Sequence, residues 1–301
     1  MTKKLLILVN PISGKGKALK ILPFVKSFFD SNQIDYDIIT SKYKGHIEKI
    51  LLEYDFTDYF SCCILGGDGS FHEAVNGYMK KIDNTDIALS LIPAGSGNSL
   101  ARDLKILSYK NALEKIKEGQ FKLIDVGKIS YDSKTLYSFN IAGWGMVATV
   151  GKKAEKYRWL GSNRYTILSL IEIIFKKTYN ANLIISDDKD NKHIIKDNFM
   201  FVMISNTIHT GKGMKIAPKA TLDDGYFDLI MIKDAPRFKL FKLMSKLFSG
   251  RHILDDAVQY KHIKKIILET DQVQDLNIDG EMKGSSPFSL EVNKKVVKII
   301  N

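Results

Sequence analysis

Through the first 125 or so residues, short apolar blocks alternate with amphipathic stretches. Residues 5–9, 35–40, 62–65 and 87–92 read as strands, and 17–30, 45–54, 71–80 and 100–104 as helices. Strand and helix in strict alternation imply βαβ units, hence a parallel sheet with helices on its faces, a three-layer α/β domain. The rhythm changes after Asp125. Residues 126–141, 183–186, 199–205, 227–232, 263–269 and 287–299 are rich in β-branched and aromatic side chains and are bounded by turn signals. With two longer helix candidates among them, they read as a second, largely antiparallel β domain, a sandwich. The change of period sets the expected domains at 1–125 and 126–301.

The 301 residues, 45% of them hydrophobic, suffice for two packed domains and leave little room for disorder. No run of about 18 apolar residues occurs, so no transmembrane helix is expected. The apolar run Leu5–Val9 is too short for a signal peptide and reads as a first buried strand. Cys62 and Cys63 are neighbours in a strand, pointing to opposite faces, which suits two thiols in a reducing cytoplasm rather than a disulfide. A formal net charge of +11 favours an anionic partner such as an acidic membrane surface or a phosphorylated ligand. No zinc-ligand spacing or nucleic-acid motif is present, and no nucleic acid is expected as partner.

Three turns follow strands and enter helices, so all can lie at the carboxyl edge of the sheet, where ligands of α/β proteins bind. In the first, Asn10-Pro11-Ile12-Ser13-Gly14-Lys15-Gly16, two glycines free the backbone and lysine and amide groups suit phosphate, although the spacing is not that of a Walker A loop. The second, Gly66-Gly67-Asp68-Gly69-Ser70, puts three glycines in four residues, which is costly in chain entropy unless the backbone must pass close to something. Asp68 would face a bound cation or an attacking hydroxyl; an ordinary Asp-Gly turn is the plain alternative. The third is Pro93-Ala94-Gly95-Ser96-Gly97-Asn98.

These motifs, with Glu73, Asn76 and Gly77 after the second turn, resemble the diacylglycerol kinase catalytic family, which includes bacterial lipid kinases, sphingosine kinases and ceramide kinases. Thr40 with Gly45-His46 matches a further motif, and Glu155–Gly161, Arg164-Tyr165, Leu222-Asp223-Asp224-Gly225 with Asp228, Gly250-Arg251-His252 and Asp279-Gly280-Glu281 are similar to the sphingosine and ceramide kinase branch. The resemblance implies an N-terminal domain like that of NAD kinase and phosphofructokinase, ATP in the cleft between domains, Mg²⁺, and transfer of the γ-phosphoryl group to a hydroxyl of a long-chain lipid, diacylglycerol or a sphingoid or ceramide-like one. It implies that Asn10, Ser13, Gly14, Lys15, Thr40, Gly66, Gly67, Gly69, Glu73, Ser96, Gly97 and Asn98 line the nucleotide site, and that Arg158 and Arg164 bind the polyphosphate. Asp68, Asp279 and Glu281 would be catalytic, and Asp125, Asp223 and Asp224 would be metal ligands. Two bland readings stand beside these roles: Asp279-Gly280 as a type I′ hairpin turn, and Asp223-Asp224 as a solvated acidic turn. Two departures are visible. Ser99 stands where bacterial diacylglycerol kinases carry an aspartate. Thr149 stands where sphingosine and ceramide kinases carry the aspartate used on the lipid head group, and a threonine cannot pair with an ammonium, so a neutral head group is favoured.

Residues 236–251 place Leu240, Phe241, Met244, Leu247 and Phe248 on one stripe, with Lys239, Lys242 and Lys246 off it. The pattern suits a helix packed on its own domain or one lying on an anionic membrane. A second apolar stripe over 163–177 ends in Lys176-Lys177. The enzyme is expected in the cytoplasm, meeting the inner face of the membrane transiently; a homodimer is compatible with the sequence but not specified by it. The competing readings are an NAD kinase or phosphofructokinase relative acting on a soluble substrate, which leaves Pro93–Asn98 and Glu155–Arg164 unexplained, and a non-catalytic lipid-binding regulator.

Overall fold

A computed structural model describes residues 4–81, 87–157, 159, 164–186, 191–211 and 213–301. The chain forms two compact units, Met1–Ile124 with Lys295–Asn301, and Asp125–Lys294. In chain order the elements are β1 (Lys4–Val9), α1 (Lys17–Ser31), β2 (Tyr36–Thr40), α2 (His46–Glu53), β3 (Tyr59–Gly66), α3 (Asp68–Lys80), β4 (Ala88–Pro93), α4 (Ser99–Asp103) and α5 (Tyr109–Glu118). There follow β5 (Phe121–Tyr131), β6 (Lys134–Ser138), β7 (Ile141–Gly145), α6 (Met146–Lys156), α7 (Arg164–Phe175), β8 (Tyr179–Ser186), β9 (Lys192–Ser205), β10 (His209–Thr210), β11 (Met214–Lys215) and β12 (Phe227–Lys233). The chain ends with α8 (Arg237–Lys246), β13 (Val258–Ile263), β14 (Lys265–Glu269), β15 (Asp275–Ile278), β16 (Glu281–Ser285) and β17 (Phe288–Ile300).

In the first unit β2, β1, β3 and β4 pair in parallel in that order, and Ile299 at the end of β17 pairs in parallel with Leu89 on the far side of β4. Leu5 to Val9 are wholly buried, as are Cys62 to Leu65, as the short unbroken apolar runs require of central parallel strands. Both thiols are free and buried in β3. Burial pushes the Cys63 thiol up to about 11, against the pull of the Ser90 and Ser61 hydroxyls. Helix α5 starts on Ser108, whose hydroxyl accepts from Asn111 N, and stops at Gly119 with φ 69°. Helix α3 begins at Asp68, three residues before the expected Phe71, because the glycine turn itself forms the helix's first turn.

The second unit is built on antiparallel strands. β9 pairs along its first half with β8, and along its second half with β7 on one edge and β12 on the other. β12 alternates between two cores. Phe227, Leu229 and Met231 enter one with Trp144, Phe199 and Leu290, while Ile230 and Ile232 enter another with Met146, Leu240 and Leu243. The first core fills the sandwich, and the second joins the opposite strand face to α6, α7 and α8. A period of two therefore gives one strand two buried faces once helices cover the outer one. β15 and β16 meet at Asp279-Gly280, with φ values of 53° and 88°, the type I′ geometry that Asp-Gly favours.

Two expectations change. The helix expected over 236–251 ends at Lys246 and is followed by a separate 3₁₀ turn over Arg251–Leu254. The last seven residues, expected in the second domain, belong to the first unit. Among the described residues no helix is long and apolar enough to cross a membrane.

Candidate active site

The three glycine-bearing turns leave the carboxyl ends of β1, β3 and β4, which lie side by side, so the chain delivers them to one edge of the first unit. Their glycines are contact points. A Cβ on Gly67 would come within 2.8 Å of Gly95 Cα, one on Gly95 within 2.6 Å of Gly67 Cα, and one on Gly14 would collide with the Ala94 carbonyl oxygen. Backbone packs directly on backbone here, which only glycine permits. Ala94 N and Gly95 N both donate to Gly66 O, tying the second turn to the third.

Asp68 is the first residue of α3, half-buried among these loops. Its Oδ2 accepts from Ser99 N at 3.0 Å, so the second loop reaches the start of α4 in the third. The serine that departs from the bacterial pattern thus takes part through its backbone. Asn98, in the left-handed region at φ 54°, donates from Nδ2 to Gly95 O at 2.8 Å, which fixes the bend of its own loop. Asn10 donates from Nδ2 to Ser70 Oγ at 2.8 Å and accepts from Ile12 N. Ser70 is a residue the sequence reading did not single out; its place directly after the glycine turn was the available signal. Ser13 N donates to Asn10 O, Lys15 is exposed with φ 59°, and Gly69, Ser96 and Gly97 lie in the second and third turns as expected. Thr40 ends β2, exposed, beside Val9 at the end of β1.

Glu73, expected to line the nucleotide site, is hydrogen-bonded to the start of α2. Its two oxygens accept from Gly45 N at 2.8 Å and Ile47 N at 3.3 Å, so it caps the start of α2, where unpaired amides and the helix dipole favour a carboxylate. Asp279, read as catalytic, is buried, and its carboxylate accepts from Ser138 Oγ and from the amides of Phe139, Asn140 and Ile141. Four donors on one buried carboxylate give it the work of holding the turn between β6 and β7. Glu281 lies two residues on, half-buried at the start of β16.

Asp125, Asp223 and Asp224, expected as metal ligands, lie at a turn that Asp125 and Asp224 tie by hydrogen bonds. Asp125 Oδ2 accepts from Gly225 N at 2.6 Å, Asp125 N donates to Leu222 O, and Asp224 Oδ1 accepts from Tyr226 N. Among the described residues no group of three His, Cys, Asp or Glu side chains is placed to hold a metal ion. Arg164 opens α7 with its guanidinium 5.0 Å from the Tyr165 ring centroid, whereas Arg158 lies outside the described residues. In α6, Thr149 Oγ1 lies 3.3 Å from both the Gly145 carbonyl oxygen and the Tyr179 hydroxyl, and the Tyr179 ring packs against Trp144.

Comparison with known proteins agrees with this architecture. Residues 4–129 match the diacylglycerol kinase catalytic domain, and residues 140–301 match the YegS C-terminal NAD kinase beta sandwich-like domain. Sphingosine kinase 1 of Arabidopsis thaliana is 30% identical over 98% of this chain and 71% of its own length. A diacylglycerol kinase of Mycobacterium tuberculosis is 26% identical over 99% of this chain and 94% of its own. The crystal structure of a diacylglycerol kinase from Bacillus anthracis superposes with a TM-score of 0.79, at 23% identity, over 99% of this chain and 96% of that one, which shows a shared fold. The chain belongs to the diacylglycerol kinase catalytic-domain family of ATP-dependent lipid kinases.

Proposed function

We propose that this enzyme transfers the γ-phosphoryl group of ATP to a hydroxyl of a long-chain lipid with a neutral head group, with Asp68 as the carboxylate at the reacting centre. The observation that carries the reading is the meeting of three glycine turns around Asp68, where backbone amides can approach a phosphate chain while Ser99 N holds the carboxylate in place. Asp68 is within its own loop's reach of such a chain and serves the acceptor hydroxyl as general base or orients it. Mg²⁺ fits this donor set, since it is commonly held by one or two carboxylates together with the phosphates of its nucleotide rather than by a protein cage. When bound it would neutralise charge developing on the transferred group; Asp68 would hold it only where it orients the hydroxyl rather than takes its proton. Asp279 is a positioning residue in this reading.

The neutral head group rests on Thr149. Its hydroxyl lies between the Gly145 carbonyl and the Tyr179 hydroxyl, so the position offers dipoles and no charge. Incubation of the purified protein with ATP and a panel of lipids, with NAD and a sugar phosphate as controls, read by mass spectrometry, tests the proposal. Diacylglycerol or another neutral lipid is expected to be phosphorylated ahead of free sphingosine. Thr149→Asp should move preference toward the amine, and Asp68→Asn should lower kcat by about 10²-fold or more with unchanged thermal unfolding. Turnover of NAD without turnover of any lipid would overturn the substrate class, and full activity in a folded Asp68→Asn variant would overturn the role of Asp68.

A further inference from the structure

A charged pair stands within the apolar layer that joins α6 to α7. Val150 and Ala154 of α6 and Leu168 and Ile173 of α7 belong to one core, and Glu172, the one acid of α7 and the chain neighbour of Ile173, is buried. An ionised carboxylate in apolar surroundings has given up its water and needs a counter-charge. Lys153 of α6 supplies it, donating from Nζ to Glu172 Oε1. The two side chains differ in access. That of Glu172 is 10% exposed and that of Lys153 41%, so the acid is set within the protein and the base reaches it from the rim.

The pair adjoins the position on which the neutral head group rests. Thr149 and Lys153 are four residues apart on α6, so they share a face, with Cβ atoms about 5–6 Å apart. Helical side chains lean toward the N-terminus, which tilts Lys153 over the turn that holds Thr149. A second cation is close by. Lys177 Nζ lies 5.2 Å from the centroid of the Tyr179 ring, whose hydroxyl meets Thr149. An ammonium entering here would face Lys153 and Lys177, while the buried carboxylate able to hold it is already occupied. The occupant is the same chemical group. The lysine head is a primary ammonium with N–H donors and no acceptor, as is the head of a protonated sphingoid base.

We propose that Lys153 is a specificity-determining residue: it keeps the Glu172 carboxylate filled with a built-in ammonium and thereby excludes lipids whose head group carries one. Discrimination then comes from a closed place as well as from the lack of charge at Thr149. The inference rests on the lipid-kinase reading and on Thr149 as the head-group position.

Taking away the lysine's charge should open the carboxylate to a ligand. Lys153→Gln keeps an amide donor for Glu172, and Lys153→Met removes donor and charge together. Each is assayed with a short-chain, water-soluble sphingosine and a short-chain diacylglycerol as acceptors. Relative to diacylglycerol, kcat/KM for sphingosine should rise at least about tenfold in either folded variant. The rise should come chiefly through KM, because an ammonium–carboxylate pair away from the reacting atoms is made alike in the ground and transition states. Lys153→Arg keeps the pair and should keep the wild-type ratio, and Glu172→Gln added to Lys153→Gln should return the ratio toward it. Thermal unfolding gives a readout without turnover: the short-chain sphingosine should raise the midpoint of Lys153→Gln and Lys153→Met more than that of the wild type.

An unchanged ratio with no extra midpoint shift would overturn the proposal, as would a raised ratio that persists in the variant lacking the Glu172 carboxylate. Sphingosine turned over by the wild type as readily as diacylglycerol would overturn it together with the neutral-head-group reading. The midpoint shift as described with no turnover of any lipid would uphold the closed carboxylate and overturn the kinase reading instead.

Discussion

Carboxylates that look alike in the sequence part company in the structure. Asp68 stands half-buried with one oxygen on Ser99 N, while Asp279 is buried under four donors and Glu73 caps α2. Asp228, which shares a motif with Asp223 and Asp224 but carries no expected role, is buried in β12 beside Tyr260 and 3.5 Å from His262 Nδ1. Burial pushes its carboxyl up to about 6, against the pull of the Tyr260 hydroxyl and of His262; Asp224 adds to the rise and Lys219 opposes it. A raised folded-state value means that the folded protein keeps a proton that the unfolded chain has released between pH of about 4 and 6. The resulting stabilisation is fully present below pH of about 4 and is lost as pH rises through 6. Urea unfolding should therefore show stability falling over that window by on the order of 2 kcal/mol, and Asp228→Asn should flatten the fall. An Asp228→Asn variant with the wild-type slope would place the dependence elsewhere.

At the scale of elements, the loops at the sheet edge hold one another in shape through glycine contacts that leave no room for a methyl group. Gly95→Ala would put its Cβ 2.6 Å from Gly67 Cα and 2.7 Å from Asn98 Oδ1, so two loops must separate, at about 1–3 kcal/mol. We expect its kcat/KM for ATP to fall at least about tenfold. Gly119→Ala, at the end of α5 and outside the three turns, is the control. It meets open space but must hold φ 69°, so it should lose about 1–2 kcal/mol of stability with little change in ATP kinetics. Wild-type kinetics in Gly95→Ala would show that the loops have slack. Helix α8 shows the same dependence on neighbours. Its buried Leu240 and Leu243 make it part of the second unit's core, as the packed-helix reading had it, while its phenylalanines face outward.

At the scale of the molecule, the C-terminal strand returns to the first unit. Val297, Ile299 and Ile300 are buried there, and Asn301 N donates to Gln120 O. Each buried aliphatic side chain is worth about 1.5–3 kcal/mol against a typical total of about 5–15 kcal/mol. Deleting Lys295–Asn301 should therefore lower the urea midpoint sharply and open the first 124 residues to protease; an unchanged midpoint would show that the strand is dispensable. The sequence by itself determined the alternation of strand and helix, the antiparallel second half, the three turns at strand ends and the family. Hydrophobic period and turn chemistry are local properties that neighbours in the chain fix together. Only the tertiary structure decided how the polar side chains are used. Glu73 finds Gly45 28 residues away, Asp125 finds Gly225 100 residues away, and Asp279 finds Ser138 141 residues away. Lys239 and Lys246 lose their freedom to Asp255 and Asp256, and the last strand crosses back to β4. A buried charge must find donors or a counter-charge wherever the fold brings them, and the path of the chain, not the residues beside it, sets where that is.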